Sequence, residues 1–206
     1  MRLRPGFYFI TDSTLTCGGM ISDVRLALAA GVSVVQYREK TATADVCRPQ
    51  AREIQALCRA AGVPFLINDM VELAREIGAD GVHVGQSDMA LRAARAVLGP
   101  AAIIGVSVAT VAEARTAEAG GADYLAVSPV FATATKLDAG PGVGCPGIAA
   151  IRAATRLPLA AIGGIGSANI RDVRAAGADL ICAISASLAG GMVDENIREL
   201  IRLAGK

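Results

Sequence analysis

The sequence predicts an α/β protein, a (β/α)8 barrel formed as a single domain across residues 1–206. Two observations carry that expectation. Short apolar runs of β type recur eight times, with Ala-, Arg- and Glu-rich segments of helical spacing between them. Glycines punctuate the passage from helix to strand at five places. Strands alternating with helices pair in parallel through right-handed crossovers. Eight such units in 206 residues match a closed barrel at its minimum length. An open doubly wound sheet is the alternative. It would more often carry a glycine-rich dinucleotide turn after the first strand, and Thr11-Asp12-Ser13-Thr14 is not one.

The expected strands are 7–10, 34–37, 65–67, 81–84, 103–106, 124–127, 159–162 and 180–183. The longest helical segment runs over 45–61. Val46, Ile54, Leu57 and Cys58 can form its apolar stripe, with Arg48, Arg52, Glu53 and Arg59 on the other faces. Ala30-Gly31-Val32, Ala61-Gly62-Val63, Gly78-Ala79-Asp80, Gly121-Ala122-Asp123 and Gly177-Ala178-Asp179 supply left-handed helix caps before the next strand. The longest strand-to-helix connection runs from Ser128 to about Pro146, on the catalytic side of such a barrel. Its Thr133-Ala134-Thr135-Lys136 suits an anion and its glycines suit a lid; the plainer reading is a surface insert.

Apolar residues make up 53% of the chain and Trp is absent, so Ala, Val, Ile and Leu must build the core. Twenty basic residues stand against nineteen acidic ones, which is no nucleic-acid footprint. Phosphate affinity must then come from local geometry. The five cysteines, Cys17, Cys47, Cys58, Cys145 and Cys182, are odd in number and none is spaced CxxC. They read as reduced thiols of a cytoplasmic protein, not as a disulfide framework or a zinc site. The apolar run 7–10 is too short for a signal-peptide core, and uncharged stretches such as 96–112 are broken by Gly and Pro. No membrane partner is expected. Homo-oligomerisation stays open, since barrel helices can be solvated or paired.

Asp69 and Asp88 each close an apolar run, nineteen residues apart. On neighbouring parallel strands their ends would lie roughly 5 Å apart. Two carboxylates can then share a hard cation such as Mg²⁺, which prefers oxygen ligands and retains phosphate among them. Each acid can instead be a helix N-cap. Gln36, Arg38 and Lys40 alternate and so face one side of an extended chain. An Arg fork and a Lys point charge suit a diphosphate; a buried salt bridge or a solvated face is the plainer reading. Gly163-Gly164 follows the seventh strand and Ile184-Ser185 the eighth. Barrels often hold phosphate there, with Gly164 and Ser185 as donors; tight packing of a glycine turn is the alternative. His83, the sole histidine, lies inside a strand and reads as a hydrogen-bonded core residue. Ser107 can donate to a substrate, but no Ser-His-acid order is evident.

The ordered set resembles the thiamine phosphate synthase family. The matching segments are Gln-Tyr-Arg-Glu-Lys at 36–40, Asn-Asp at 68–69, His-Val-Gly-Gln-Ser-Asp at 83–88, Gly-Val-Ser at 105–107, Thr-Ala-Thr-Lys at 133–136, Gly-Gly-Ile at 163–165 and Ile-Ser at 184–185. The resemblance implies a (β/α)8 barrel transferase joining 4-amino-2-methyl-5-hydroxymethylpyrimidine diphosphate to 4-methyl-5-(2-hydroxyethyl)thiazole phosphate. It assigns Gln36, Arg38, Lys40, Asn68 and Lys136 to the pyrimidine diphosphate, Asp69 and Asp88 to Mg²⁺, and Ser107 to the pyrimidine. Thr133 and Thr135, with the backbone at Gly164, Ile184 and Ser185, hold the thiazole phosphate. Arg38, Lys40, Ser107 and Lys136 are the catalytic candidates. Two rivals share the barrel: a thiazole tautomerase and a non-catalytic phosphate-binding regulator. Val108 and Ala109 stand where the family commonly has a small residue and His. Ala132 replaces the usual Pro, and Met70 a common polar residue.

Overall fold

The computed structural model describes residues 3–133 and 140–205. Eight parallel strands close into a barrel in chain order, β1 pairing with both β2 and β8. The strands are β1 Gly6–Ile10, β2 Val34–Tyr37, β3 Phe65–Asn68, β4 Gly81–Val84, β5 Ile103–Val108, β6 Tyr124–Val127, β7 Leu159–Ile162 and β8 Leu180–Cys182. Around them lie α1 Met20–Ala30, α2 Ala44–Ala61, α3 Val71–Ile77, α4 Leu91–Leu98, α5 Val111–Ala119, α6 Gly144–Ala154, α7 Ile170–Ala175, α8 Ile184–Leu188 and α9 Val193–Ala204. The open sheet is thereby excluded.

Strand alternation sorts the core into two layers. Tyr8, Ile10, Val34, Leu66, Ile103, Tyr124, Ala126, Ala160, Leu180 and Cys182 fill the barrel interior. Phe7, Phe9, Val35, Phe65, Ile67, Val82 and Ile104 face outward and pack on the helices. Gly105 makes room for the largest interior ring. A Cβ there would stand 2.0 Å from the Tyr124 ring.

Two expectations need correcting. The stripe of α2 is Cys47, Ala51, Ile54 and Cys58, and Val46 is 68% exposed. One residue turns a helix by about 100°, so Cys47 occupies the core-facing position and Val46 does not. The connection after β6 ends at Val143, because α6 already contains Pro146 in its first turn. Proline fits there, where its missing N–H has no helical partner. A further feature lay outside the eightfold pattern: α8 is only five residues long, and α9, packed on α1, closes the outer ring.

The glycine punctuation works as expected at Gly31, Gly62 and Gly78, which cap α1, α2 and α3 in the left-handed conformation. After α5 the positive φ falls on Gly121, not on Gly120. The aspartates that follow have their own task. Asp80 Oδ2 accepts the Phe65 N–H at 2.8 Å, Asp123 Oδ2 the Ile104 N–H at 2.8 Å and Asp179 Oδ2 the Leu159 N–H at 2.9 Å. Arg95 and Arg152 pair with the second and third of these carboxylates. The acids pin strand starts at the N-terminal end of the barrel, remote from the strand C-termini.

Candidate active site

At the opposite end the strand C-termini open into a cavity. Its floor is Tyr8, Ile10, Ala126 and Cys182; its walls carry Gln36, Arg38, Lys40, Asn68, Asp69, His83, Asp88 and Ser107; its far rim is Thr133, Gly163, Gly164, Ala183, Ile184 and Ser185. Every described candidate from the sequence lines this one cavity. Thr135 and Lys136 lie outside the described residues.

Asp69 follows β3 with φ +59, the only non-glycine residue with positive φ among those described. Asp tolerates that region better than most side chains, at a modest cost. The turn is held by the Asp69 N–H, which donates to His83 O at 2.9 Å. Asp69 Oδ2 accepts from Lys40 Nζ at 2.5 Å and from Asn68 Nδ2 at 2.6 Å. Asp88 sits on the Gly85–Asp88 turn, where its Oδ2 accepts the Gly85 N–H at 2.7 Å. Neither acid caps a helix. The caps of α3 and α4 are Met70 and Ala90, without a side-chain bond. Burial pushes the Asp69 carboxyl up, Lys40 opposes this, and the neighbouring Asp88 adds to it. Two carboxylates close enough to repel, supported by one lysine, fit a small hard cation that also takes phosphate oxygens. Among the described residues no group of three or more His, Cys, Asp and Glu is placed to hold a metal ion.

The basic side is built just as locally. β2 ends at Tyr37, and the next residues keep the alternation: Gln36 is buried, Arg38 partly exposed and Lys40 exposed. Arg38 Nη1 donates to Asp12 Oδ2 at 2.6 Å, and its N–H donates to Thr11 Oγ1 at 2.8 Å. Asp12 is buried and also accepts the Thr14 hydroxyl at 2.6 Å. The loop after β1 therefore orients the guanidinium. Between Arg38 and Lys40, Glu39 turns away and accepts both the N–H and the hydroxyl of Thr41. Burial works to raise its carboxyl, and hydrogen bonds from Thr41 and Ser13 overcome it, to about 2.

On the far rim, the Gly163-Gly164 turn packs against the connection after β6. A Cβ on Gly164 would come within 2.6 Å of Ala132 O, and one on Gly163 within 2.8 Å of Pro129. Phe131 N–H donates to Gly163 O at 3.0 Å. Tight packing is thus real here, and it brings Thr133, Gly164 and Ser185 to one rim. α8 starts directly after β8, so its first backbone N–H groups stand at the cavity edge. A short extra helix beside the loops after strands seven and eight is the usual phosphate-binding arrangement of such barrels.

A family model described as thiamine monophosphate synthase matches residues 7–187. This chain belongs to the thiamine monophosphate synthase family. Among its relatives, the thiamine-phosphate synthase of Methanosarcina mazei is 43% identical over 95% of this chain and 81% of its own. That of Methanospirillum hungatei is 47% identical over 88% of each chain. The solved structure of thiamine phosphate pyrophosphorylase from Pyrococcus furiosus superposes with a TM-score of 0.90 at 34% identity, covering 98% of this chain and 96% of that one.

Against that family membership, the residues the sequence reading missed are Asp12, Tyr8 and Tyr124. Asp12 sat in a segment read only as a non-nucleotide turn. The tyrosines stood only as members of the apolar runs 7–10 and 124–127. Nothing in local sequence marks them, because their partners lie 26 to 116 residues away. Ala109 donates its N–H to Glu113 Oε2 at 2.6 Å beside the capping box of α5.

Proposed function

We propose that this protein is a thiamine phosphate synthase, joining 4-amino-2-methyl-5-hydroxymethylpyrimidine diphosphate to 4-methyl-5-(2-hydroxyethyl)thiazole phosphate with release of diphosphate. One observation carries the reading. A single cavity sets two acids that cap no helix, Asp69 and Asp88, with Arg38 and Lys40, opposite a glycine and helix-terminus rim. That is room for two anions, one of them paired with a metal.

Gln36, Arg38, Lys40 and Asn68, with Lys136, hold the pyrimidine diphosphate. Arg38 is presented in one orientation by Asp12, so little rotamer freedom is lost on binding. Lys40 gives up part of its contact with Asp69 to reach a phosphate oxygen. Thr133 and Thr135, with the backbone of Gly164, Ile184 and Ser185, hold the thiazole phosphate. Ser107 contacts the pyrimidine. Asp69 and Asp88 would hold Mg²⁺, which when bound supplies Lewis-acid stabilisation of negative charge on the diphosphate. No general base is needed, because the thiazole nitrogen already has a lone pair. The side chains align two substrates and stabilise developing charge. Arg38, Lys40, Ser107 and Lys136 are the catalytic residues of this proposal.

No helix among the described residues is long and apolar enough to cross a membrane. Together with the reduced-thiol reading of the cysteines, this supports action on small molecules in the cytoplasm. The test is diphosphate release on mixing both substrates with Mg²⁺. Release that needs both substrates and stops with EDTA supports the synthase. Binding of either substrate without release refutes it and favours a regulator.

A further inference from the structure

A line of five buried or part-buried polar groups crosses the barrel beneath the cavity. Gln36 Nε2 lies 2.7 Å from Tyr8 Oη, which lies 2.7 Å from Tyr124 Oη. Tyr124 Oη lies 2.8 Å from His83 Nδ1, and His83 Nε2 lies 2.9 Å from Ser107 Oγ. They come from five strands, β2, β1, β6, β4 and β5. The two rings meet edge to face with centroids 6.0 Å apart, and Gly105 leaves the space that Tyr124 fills.

Proton counting gives this line a direction. An amide NH₂ only donates, so Tyr8 Oη accepts from Gln36. In the direction that has each phenol accept one hydrogen and donate one, the Tyr8 hydroxyl hydrogen goes to Tyr124, and that of Tyr124 to His83 Nδ1. A neutral imidazole carries one N–H. With Nδ1 accepting, the hydrogen sits on Nε2 and points at Ser107 Oγ. Burial raises the pKa of both phenols, so neither surrenders its proton near neutral pH.

We propose that Tyr8 and Tyr124 are positioning residues that hold His83 in its Nε2–H form and so make Ser107 a hydrogen-bond donor to the substrate. Ser107 Oγ accepts from below, which leaves its own hydrogen for the cavity. The ligand atom opposite that hydrogen is an acceptor, such as an unprotonated ring nitrogen. That ligand identity rests on the pyrimidine reading above; the tautomer does not.

The test uses long-range ¹H–¹⁵N spectra of the untagged, ligand-free protein, in which His83 is the sole histidine. The expected wild-type spectrum shows a protonated Nε2 and a bare Nδ1. Tyr124→Phe keeps the ring and removes the hydroxyl, and should give a mixture of both tautomers. Tyr8→Phe should weaken the preference for the Nε2–H form less than Tyr124→Phe does, because Tyr124 keeps its hydroxyl but loses the Tyr8 donor that commits its hydrogen to Nδ1. In turnover, Tyr124→Phe should lower kcat/KM for the pyrimidine diphosphate by about tenfold, the equivalent of one hydrogen bond. KM for the thiazole phosphate should stay within about twofold, since Ser107 is assigned to the pyrimidine and not to that rim. An Nδ1–H wild-type spectrum, an unchanged tautomer in Tyr124→Phe, or equal losses for both substrates would overturn the proposal. The spectra need no substrate. A wild-type protein with the Nε2–H form but no diphosphate release would refute the synthase reading while leaving the tautomer assignment standing.

Discussion

Lys40 Nζ donates to Asp69 Oδ2 at 2.5 Å, across the cavity mouth from the end of β2 to the end of β3. The acid proposed for the metal and the base proposed for the diphosphate are therefore paired with each other.

Asp69→Asn should separate function from stability. Burial raises the Asp69 carboxyl, so its charged form is disfavoured in the fold relative to the unfolded chain. Such a group favours the fold at low pH and opposes it once pH rises past its folded value. Asn also tolerates φ +59 and removes the charge. The variant should lose Mg²⁺-dependent diphosphate release by about a hundredfold or more, while its Tm at pH 7 without metal stays equal or rises. A matching drop in Tm and activity would return Asp69 to a structural role.

Asp12→Asn should act through Arg38. The carboxylate is buried and holds Nη1 at 2.6 Å. Losing the charge-assisted bond frees the guanidinium and should lower kcat/KM for the pyrimidine diphosphate by about tenfold or more. Thiazole phosphate KM should hold. Steady-state kinetics varying one substrate at a time reads this directly.

Glu39 predicts an acid limb in stability. Its folded pKa of about 2 lies below the ordinary value of 4.5, through the hydrogen bonds of Thr41 and Ser13 that overcome burial. A depressed carboxylate stabilises the fold above its unfolded pKa, and that contribution disappears as pH falls through the folded one. Thr41→Val should therefore be less stable than wild type at pH 6, and the gap should narrow between pH ~4.5 and ~2. Urea midpoints across that range measure it. A constant gap would contradict the assignment.

Asp179→Ala should do the reverse of Asp69→Asn. At the strand-start end, Asp179 binds Leu159 N–H and Arg152. Removing it should cost about 2 kcal/mol, or about 4–8 °C in Tm for a chain of this size. At 25 °C kcat should be unchanged within about twofold, since the candidate site lies at the other end of the barrel.

Gly105→Ala tests the packing that supports the interior line. Its Cβ would stand 2.0 Å from the Tyr124 ring. The ring must shift, at about 1–3 kcal/mol, and the His83 contact must lengthen. Calorimetry together with the imidazole spectrum should show both effects.

Much of the fold was legible because each strand is a short apolar run and five passages from helix to strand carry a glycine. The strand assignments agree to within two residues at every end. Val46 failed because one step of helical phase separates a core position from solvent, and Cys47 holds the core one. The Asp in Gly-Ala-Asp was legible as punctuation but not as a clamp, since its partner N–H belongs to a strand fifteen to twenty residues earlier.

The site divides in the same way. Asp69, Asp88, Arg38, Lys40 and Gly164 follow strand ends, and in a parallel barrel all strand C-termini share one mouth. Alternation and topology alone thus determined that these residues would meet. Which acids cap helices, which carboxylate aims Arg38, and how Tyr8, Tyr124, His83 and Ser107 join beneath the cavity were decided only by tertiary structure. Those contacts join residues 24 to 116 positions apart, and their existence depends on strand register and ring packing that no local pattern encodes.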